Sequence, residues 1–159
     1  MWHLATQPFP AQDEGLRLSE GRDDFAYFME MGLGKTATTL ADFVRECIND
    51  NVRGLVVVCP NSLKRNWVLD AEKHGAKANF YVWPDVPKDP TALKVPFVLT
   101  INYEAIGVGK GEEYLEAVFK QHQTMFALDE SVAIKDPKSL RSKACLRLGK
   151  LARMRRLLS

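Results

Sequence analysis

Glu30-Met31-Gly32-Leu33-Gly34-Lys35-Thr36 decides how this 159-residue chain folds. An apolar and aromatic run, Phe25 to Glu30, leads into it and predicts a buried strand. An amphipathic run, Lys35 to about Asn49, follows and predicts a helix. Glycines between a strand and a helix allow a tight turn that brings backbone N–H groups close to an anion. The helix start directs the positive end of its dipole to the same point. Gly34-Lys35-Thr36 matches the second half of the phosphate-binding loop pattern. The Lys35 ammonium can reach the β- and γ-phosphates of a nucleotide, and the Thr36 hydroxyl can bind Mg²⁺. The general pattern begins with glycine where this chain has Met29, so the flanking strand and helix give the shorter motif its weight. The ATP-contacting loop read from the sequence is Met29, Glu30, Met31, Gly32, Leu33, Gly34, Lys35 and Thr36.

Outward from the loop, short apolar runs alternate with longer amphipathic ones. Pro10 opens a helix to about Glu20, since proline fits a first helical turn. Leu55-Val56-Val57-Val58-Cys59 is a β-branched strand stopped by Pro60. Asn61 or Ser62 can cap the next helix, which runs to about His74 and ends before Gly75. Asn79 to Trp83 is a short strand, and Pro84, Pro87 and Pro90 stiffen the loop after it. Val95 to Ile101 is a further strand, Glu112 to Gln121 a helix, Met125 to Leu128 a strand and Ser139 to Lys150 a helix. Met154 to Leu158 begins a last strand at the end of the chain. Strands alternating with helices predict an α/β domain with a mainly parallel sheet covered on both faces.

Met125-Phe126-Ala127-Leu128 delivers Asp129 and Glu130 to the end of a strand. Ligands of open parallel sheets bind beyond the carboxyl ends of the strands. There Asp129 can hold Mg²⁺, directly or through water. Glu130 can orient and deprotonate an attacking water. Lys35 and Glu130 are thus the candidate catalytic residues, and Thr36 and Asp129 the candidate metal ligands. The reading requires residues remote in sequence to converge on one pocket.

Composition narrows the field. The chain is 46% hydrophobic and 26% charged with a net charge of +2, ordinary for a globular domain. No apolar run approaches the roughly 20 residues of a membrane span. The start, Met1-Trp2-His3-Leu4, lacks the basic flank and apolar stretch of a signal peptide, which implies an intracellular protein without membrane partners. Cys47, Cys59 and Cys145 lack metal-site spacing and read as reduced structural residues. From Pro137 to Ser159 there are eight Lys or Arg and no Asp or Glu. Such a run is either a nucleic-acid contact or a helix face whose acidic partners lie elsewhere.

Taken together these residues resemble the helicase superfamily that includes the DEAD- and DEAH-box proteins, and most closely its Swi/Snf-related branch. Glu30 to Thr36 is similar to that branch's Glu-Met-Gly-Leu-Gly-Lys-Thr. Asp129-Glu130-Ser131 with Ile134-Lys135-Asp136-Pro137 resembles its second motif. Pro10-Ala11-Gln12 resembles the upstream glutamine motif, which implies that Gln12 reads the adenine edge. Val57 to Leu63 with Trp67, and Leu99 to Tyr103, resemble the two motifs that touch nucleic-acid backbone. The residues so implied are Pro60, Ser62, Leu63, Thr100 and Asn102. The chain departs from the branch at Phe28-Met29, where Ala-Asp is usual. It also carries Val132 in place of the histidine that couples ATP state to the next motif.

The resemblance implies a three-layer RecA-like P-loop domain with ATP and Mg²⁺ as ligands. DNA, double- or single-stranded, is the implied partner, with RNA as the alternative. Residues 1–159 would be the first lobe of a translocase, stopping before the third motif, the second lobe and its arginine finger. Two other functions fit the same motifs: a P-loop ATPase that remodels protein partners, and a non-catalytic nucleotide-binding module.

Overall fold

The computed structural model describes residues 5–30 and 33–159. Helix α1 (Pro10–Ser19) precedes strand β1 (Asp24–Tyr27), and α2 (Lys35–Ile48) leads to β2 (Gly54–Cys59). A 3₁₀ turn, Asn61–Leu63, runs directly into α3 (Lys64–Lys73), which is followed by β3 (Asn79–Val82) and β4 (Phe97–Asn102). Then come α4 (Tyr103–Gly107), α5 (Lys110–Gln121), β5 (Thr124–Asp129), α6 (Leu140–Leu151) and β6 (Met154–Leu158). The six strands form one sheet in the order β1-β6-β5-β2-β4-β3. Every adjacent pair is parallel. Parallel strands need crossovers, and here helices supply most of them.

β2, β4 and β5 occupy the middle and are almost wholly buried. Their side chains alternate between two cores. Leu55, Val57, Val98 and Ala127 meet Leu40, Phe43 and Trp67 on the α2–α3 side. Val56, Leu99, Ile101 and Phe126 meet Ile106, Leu115, Val118 and Leu148 on the α4–α6 side. Continuous apolar strands are what a doubly covered sheet demands.

Local departures from the sequence reading have physical causes. β1 ends at Tyr27, and Phe28 is 79% exposed. Phe25 and Tyr27 face α2, so Phe28 turns to the other side of an edge strand, which α4–α6 leave uncovered. Neither Asn61 nor Ser62 caps α3, because the 3₁₀ turn carries the chain straight into the helix. Ser139 does cap α6, accepting from the Ser142 N–H at 3.2 Å. The Pro137–Ser159 basic run is largely spent on ion pairs. Arg147 pairs with Glu112, Arg153 with Asp23, Arg155 with Asp24 and Arg156 with Asp42. Acidic residues from earlier elements are its partners.

Candidate active site

Because every strand is parallel, all the strand C-termini lie along one edge of the sheet. Across that edge the order is the phosphate loop after β1, Ser159 after β6, Asp129-Glu130 after β5, Pro60 to Leu63 after β2, and Asn102 after β4. The acidic pair therefore sits between the loop and the two segments assigned to nucleic acid.

Gly34 is in the left-handed region, φ 75° and ψ 49°, and ends the loop at the start of α2. The Thr38 hydroxyl and N–H both return to the Gly34 carbonyl, and the Thr39 hydroxyl returns to that of Lys35. The first turn of α2 contains no acidic residue. The Lys35 and Thr36 side chains have no hydrogen-bond or ion-pair partner among the described residues. A helix N-terminus of this kind suits a bound anion. Met29 and Glu30 flank the loop, with the Met29 N–H donating to Ser159 O at 3.1 Å and the Leu33 N–H to Glu30 O at 3.2 Å. Met31 and Gly32 lie outside the described residues.

Gln12 is buried, and its amide spans two elements. Its Oε1 accepts from the Phe9 N–H at 2.9 Å, and its Nε2 donates to Leu33 O at 2.9 Å. A cavity of about 420 Å³ opens beside it, lined by Phe9, Gln12, Thr38, Ala41 and His74 among others. Phe9 is 68% exposed there, an aromatic face that sequence reading passed over.

Asp129 ends β5 nearly buried. Its Oδ2 accepts from the Trp67 indole N–H at 2.9 Å, and its Oδ1 from the Glu130 backbone N–H at 2.9 Å. Its backbone carbonyl accepts from the Tyr103 hydroxyl at 2.6 Å. Burial raises the Asp129 carboxyl above its ordinary range. The Trp67 and Glu130 N–H bonds oppose that rise, the Glu130 charge adds to it, and the Lys35 charge opposes it. Lys35, at the start of α2, and Asp129, at the end of β5, lie along the same edge of the sheet. Glu130 is exposed in the left-handed conformation, φ 55° and ψ 55°. Such strain in a non-glycine residue costs about 1–3 kcal/mol and collects at functional sites.

On the far side, Pro60 and Leu63 are half-buried and Ser62 is exposed. Asn102 is half-buried, donating to Glu104 and accepting from Lys64 Nζ at 3.3 Å. Thr100 is different. It is fully buried, and its hydroxyl donates to the Lys64 carbonyl at 3.2 Å. The phosphate contact assigned to it from sequence is corrected here: the side chain faces inward and anchors the first turn of α3. Lys64 Nζ also donates to Trp83 O at 2.7 Å, which places an unassigned cation on this rim.

A glycine loop at a helix start, opposed by a strand-end acidic pair on an all-parallel sheet, defines a RecA-like ATPase core. The model of the SNF2-related domain matches residues 27–158, and the chain belongs to that family. In fold it is similar to the Sulfolobus solfataricus SWI2/SNF2 ATPase core in complex with dsDNA, with a TM-score of 0.78, 23% identity and 99% of this chain covered. The same core domain without DNA gives 0.76 at 23% identity and 99% coverage. The UvsW helicase from bacteriophage T4 gives 0.72 at 13% identity, covering 97% of this chain and 52% of that one. The chain spans 33% and 32% of the lengths of the two Sulfolobus chains. A search of curated protein sequences finds no match. No described helix is long and apolar enough to cross a membrane.

Proposed function

We propose that this chain is the ATP-binding first lobe of a DNA-dependent ATPase, which couples hydrolysis to movement on nucleic acid inside the cell. The observation that supports it most is topological: the all-parallel sheet puts the N-terminus of α2, with Gly34 and Lys35, and the end of β5, with Asp129 and Glu130, on one edge although they are far apart in sequence. An ammonium and a helix N-terminus on one side, and carboxylates on the other, bracket a triphosphate and its cation.

The residues present fit Mg²⁺. Thr36 offers an unengaged hydroxyl, and each Asp129 oxygen keeps a lone pair beyond its single hydrogen bond. Among the described residues no cluster of three or more His, Cys, Asp or Glu could hold a metal alone, so phosphate oxygens would complete the coordination. When bound, the ion neutralises charge on the β- and γ-phosphates. Lys35 binds the same phosphates, Gly34 lets the backbone approach them, and Glu130 orients the attacking water and takes its proton. The cavity between Phe9 and Ala41 receives the base, where Gln12 Oε1 retains an acceptor lone pair. The Sulfolobus core is a complex with dsDNA, which supports duplex as the partner; the rim of Pro60, Ser62, Leu63 and Asn102 is the contact assigned to it by this reading.

The test is ATP turnover by the full-length polypeptide with and without duplex DNA. Turnover raised by DNA and lost in Lys35→Ala is expected. Equal or absent turnover in both conditions ends the reading. The 159-residue chain alone is expected to turn over slowly, because an arginine finger from a second lobe is worth about 10³ to 10⁵ in rate. Affinity for DNA that falls steeply with salt would count against a purely protein-remodelling ATPase.

A further inference from the structure

Only two side chains donate hydrogen bonds to Asp129 among the described residues, and both come from the nucleic-acid rim. Trp67 reaches the carboxylate across 62 positions, and Tyr103 reaches the carbonyl across 26. Trp67 lies one helical turn beyond Leu63 and Lys64, and Tyr103 directly follows Asn102. Both are 2% exposed. The rim itself is cross-tied, since Lys64 bonds Asn102 and Trp83 while Thr100 bonds Lys64. Ser62 to Lys64 are thus joined to Trp67, and Asn102 to Tyr103, through short continuous stretches of backbone.

We propose that Trp67 and Tyr103 are positioning residues through which bound nucleic acid sets the orientation of Asp129, making the rim a regulator of the nucleotide site. This rests on the reading of Asp129 as the metal-side acid and of the rim as the DNA contact. The indole N–H fixes one oxygen of the carboxylate while the Glu130 N–H fixes the other, which selects one rotamer. The Tyr103 hydroxyl fixes the backbone at the point where the chain turns into the left-handed Glu130. A rim held by phosphate contacts holds both donors still. A free rim lets the carboxylate rotate and the acidic turn relax.

A buried indole also needs an acceptor for reasons of stability alone. The experiment separates the two roles by measuring coupling instead of activity. The affinity of the full-length polypeptide for a slowly hydrolysed ATP analogue with Mg²⁺ is measured with and without duplex DNA, and DNA affinity with and without analogue. Linkage requires the two factors to be equal, and typical couplings are about 5- to 150-fold. Trp67→Phe removes the N–H and keeps a ring, and Tyr103→Phe removes only the hydroxyl. Each variant is expected to melt cooperatively and to bind DNA alone within about twofold of wild type, with its coupling factor at least fivefold smaller. Coupling retained in Tyr103→Phe, or in a folded Trp67→Phe, overturns the proposal and leaves the ATPase reading intact. A wild-type protein without coupling also overturns the proposal, while the ATPase reading stands or falls on DNA-stimulated turnover.

Discussion

Gly34 carries more of the site than its size suggests. A Cβ on this residue would run into the Gln12 amide nitrogen and would also have to sit at positive φ. The left-handed conformation costs an L-residue about 1–2 kcal/mol. Gly34→Ala is therefore expected to displace the Gln12 amide from Leu33 and loosen the loop. Its measurable sign is at least a tenfold weaker affinity for Mg²⁺-ATP, with a modest fall in melting temperature. Unchanged nucleotide affinity would show that the loop tolerates the shift. The cysteines behave in another way. Burial pushes the Cys47, Cys59 and Cys145 thiols up to about 12 from an ordinary 9.0. Because the folded pKa lies above the unfolded one, the stability these thiols contribute is complete below pH 9 and is lost as pH rises from about 9 towards 12. Melting temperatures should accordingly decline through that alkaline window. Replacing the three cysteines with alanine should flatten the decline, and an unaltered slope would assign it to other groups.

At the scale of elements, α1, β1, α2 and β6 are joined by one buried polar network. Arg156 on β6 donates Nε to Asp42 Oδ2 at 2.6 Å, and its remaining N–H groups reach the Asp23, Arg155 and Arg22 carbonyls. Asp42 on α2 also accepts from Tyr27 and Arg45, both at 2.7 Å, and the Tyr27 hydroxyl oxygen lies 2.7 Å from the Ser19 hydroxyl on α1. Both charged side chains of the Arg156–Asp42 pair are fully buried. Removing one member of such a pair costs about 3–5 kcal/mol, because the other charge stays buried. Arg156→Met is expected to lower the melting temperature on the order of 10 °C. Adding Asp42→Leu should restore part of that loss, and no recovery would mean that Tyr27 and Arg45 need the carboxylate for themselves. The central strands were legible in the sequence because a doubly covered sheet demands apolar runs, as at Leu55 to Cys59 and Met125 to Leu128. The five-residue helix Tyr103–Gly107 was not, since it is too short to show a 3.6-residue period. The loop and the acidic pair stood out in the sequence because phosphate chemistry restricts the residue types, and the sheet order puts both on one edge. The Trp67 and Tyr103 bonds to Asp129 were not, because pairing at such separations follows from topology and leaves no local pattern.

The whole molecule is unevenly covered. On one face α1, α2 and α3 extend across the sheet, while on the other α4, α5 and α6 leave the β1–β6 edge open. A cleft of about 660 Å³ lies there, lined by Ala26, Ile134, Leu146 and Leu157 among others. Leu146 is 64% and Leu157 39% exposed, with Phe28 nearby in sequence at 79%. Parallel sheets normally have both faces covered, so an open apolar edge of this kind is a source of non-specific association. The 159-residue chain is therefore expected to bind a hydrophobic dye while fully folded. Leu146→Lys with Leu157→Lys should weaken that binding severalfold. Each substitution should shift stability by only about 0.5 kcal/mol, because neither side chain belongs to a packed core. Dye binding that survives the double substitution would place the association elsewhere. A large loss of stability would show instead that the edge is already closed by packing that the exposures of Leu146 and Leu157 do not reveal.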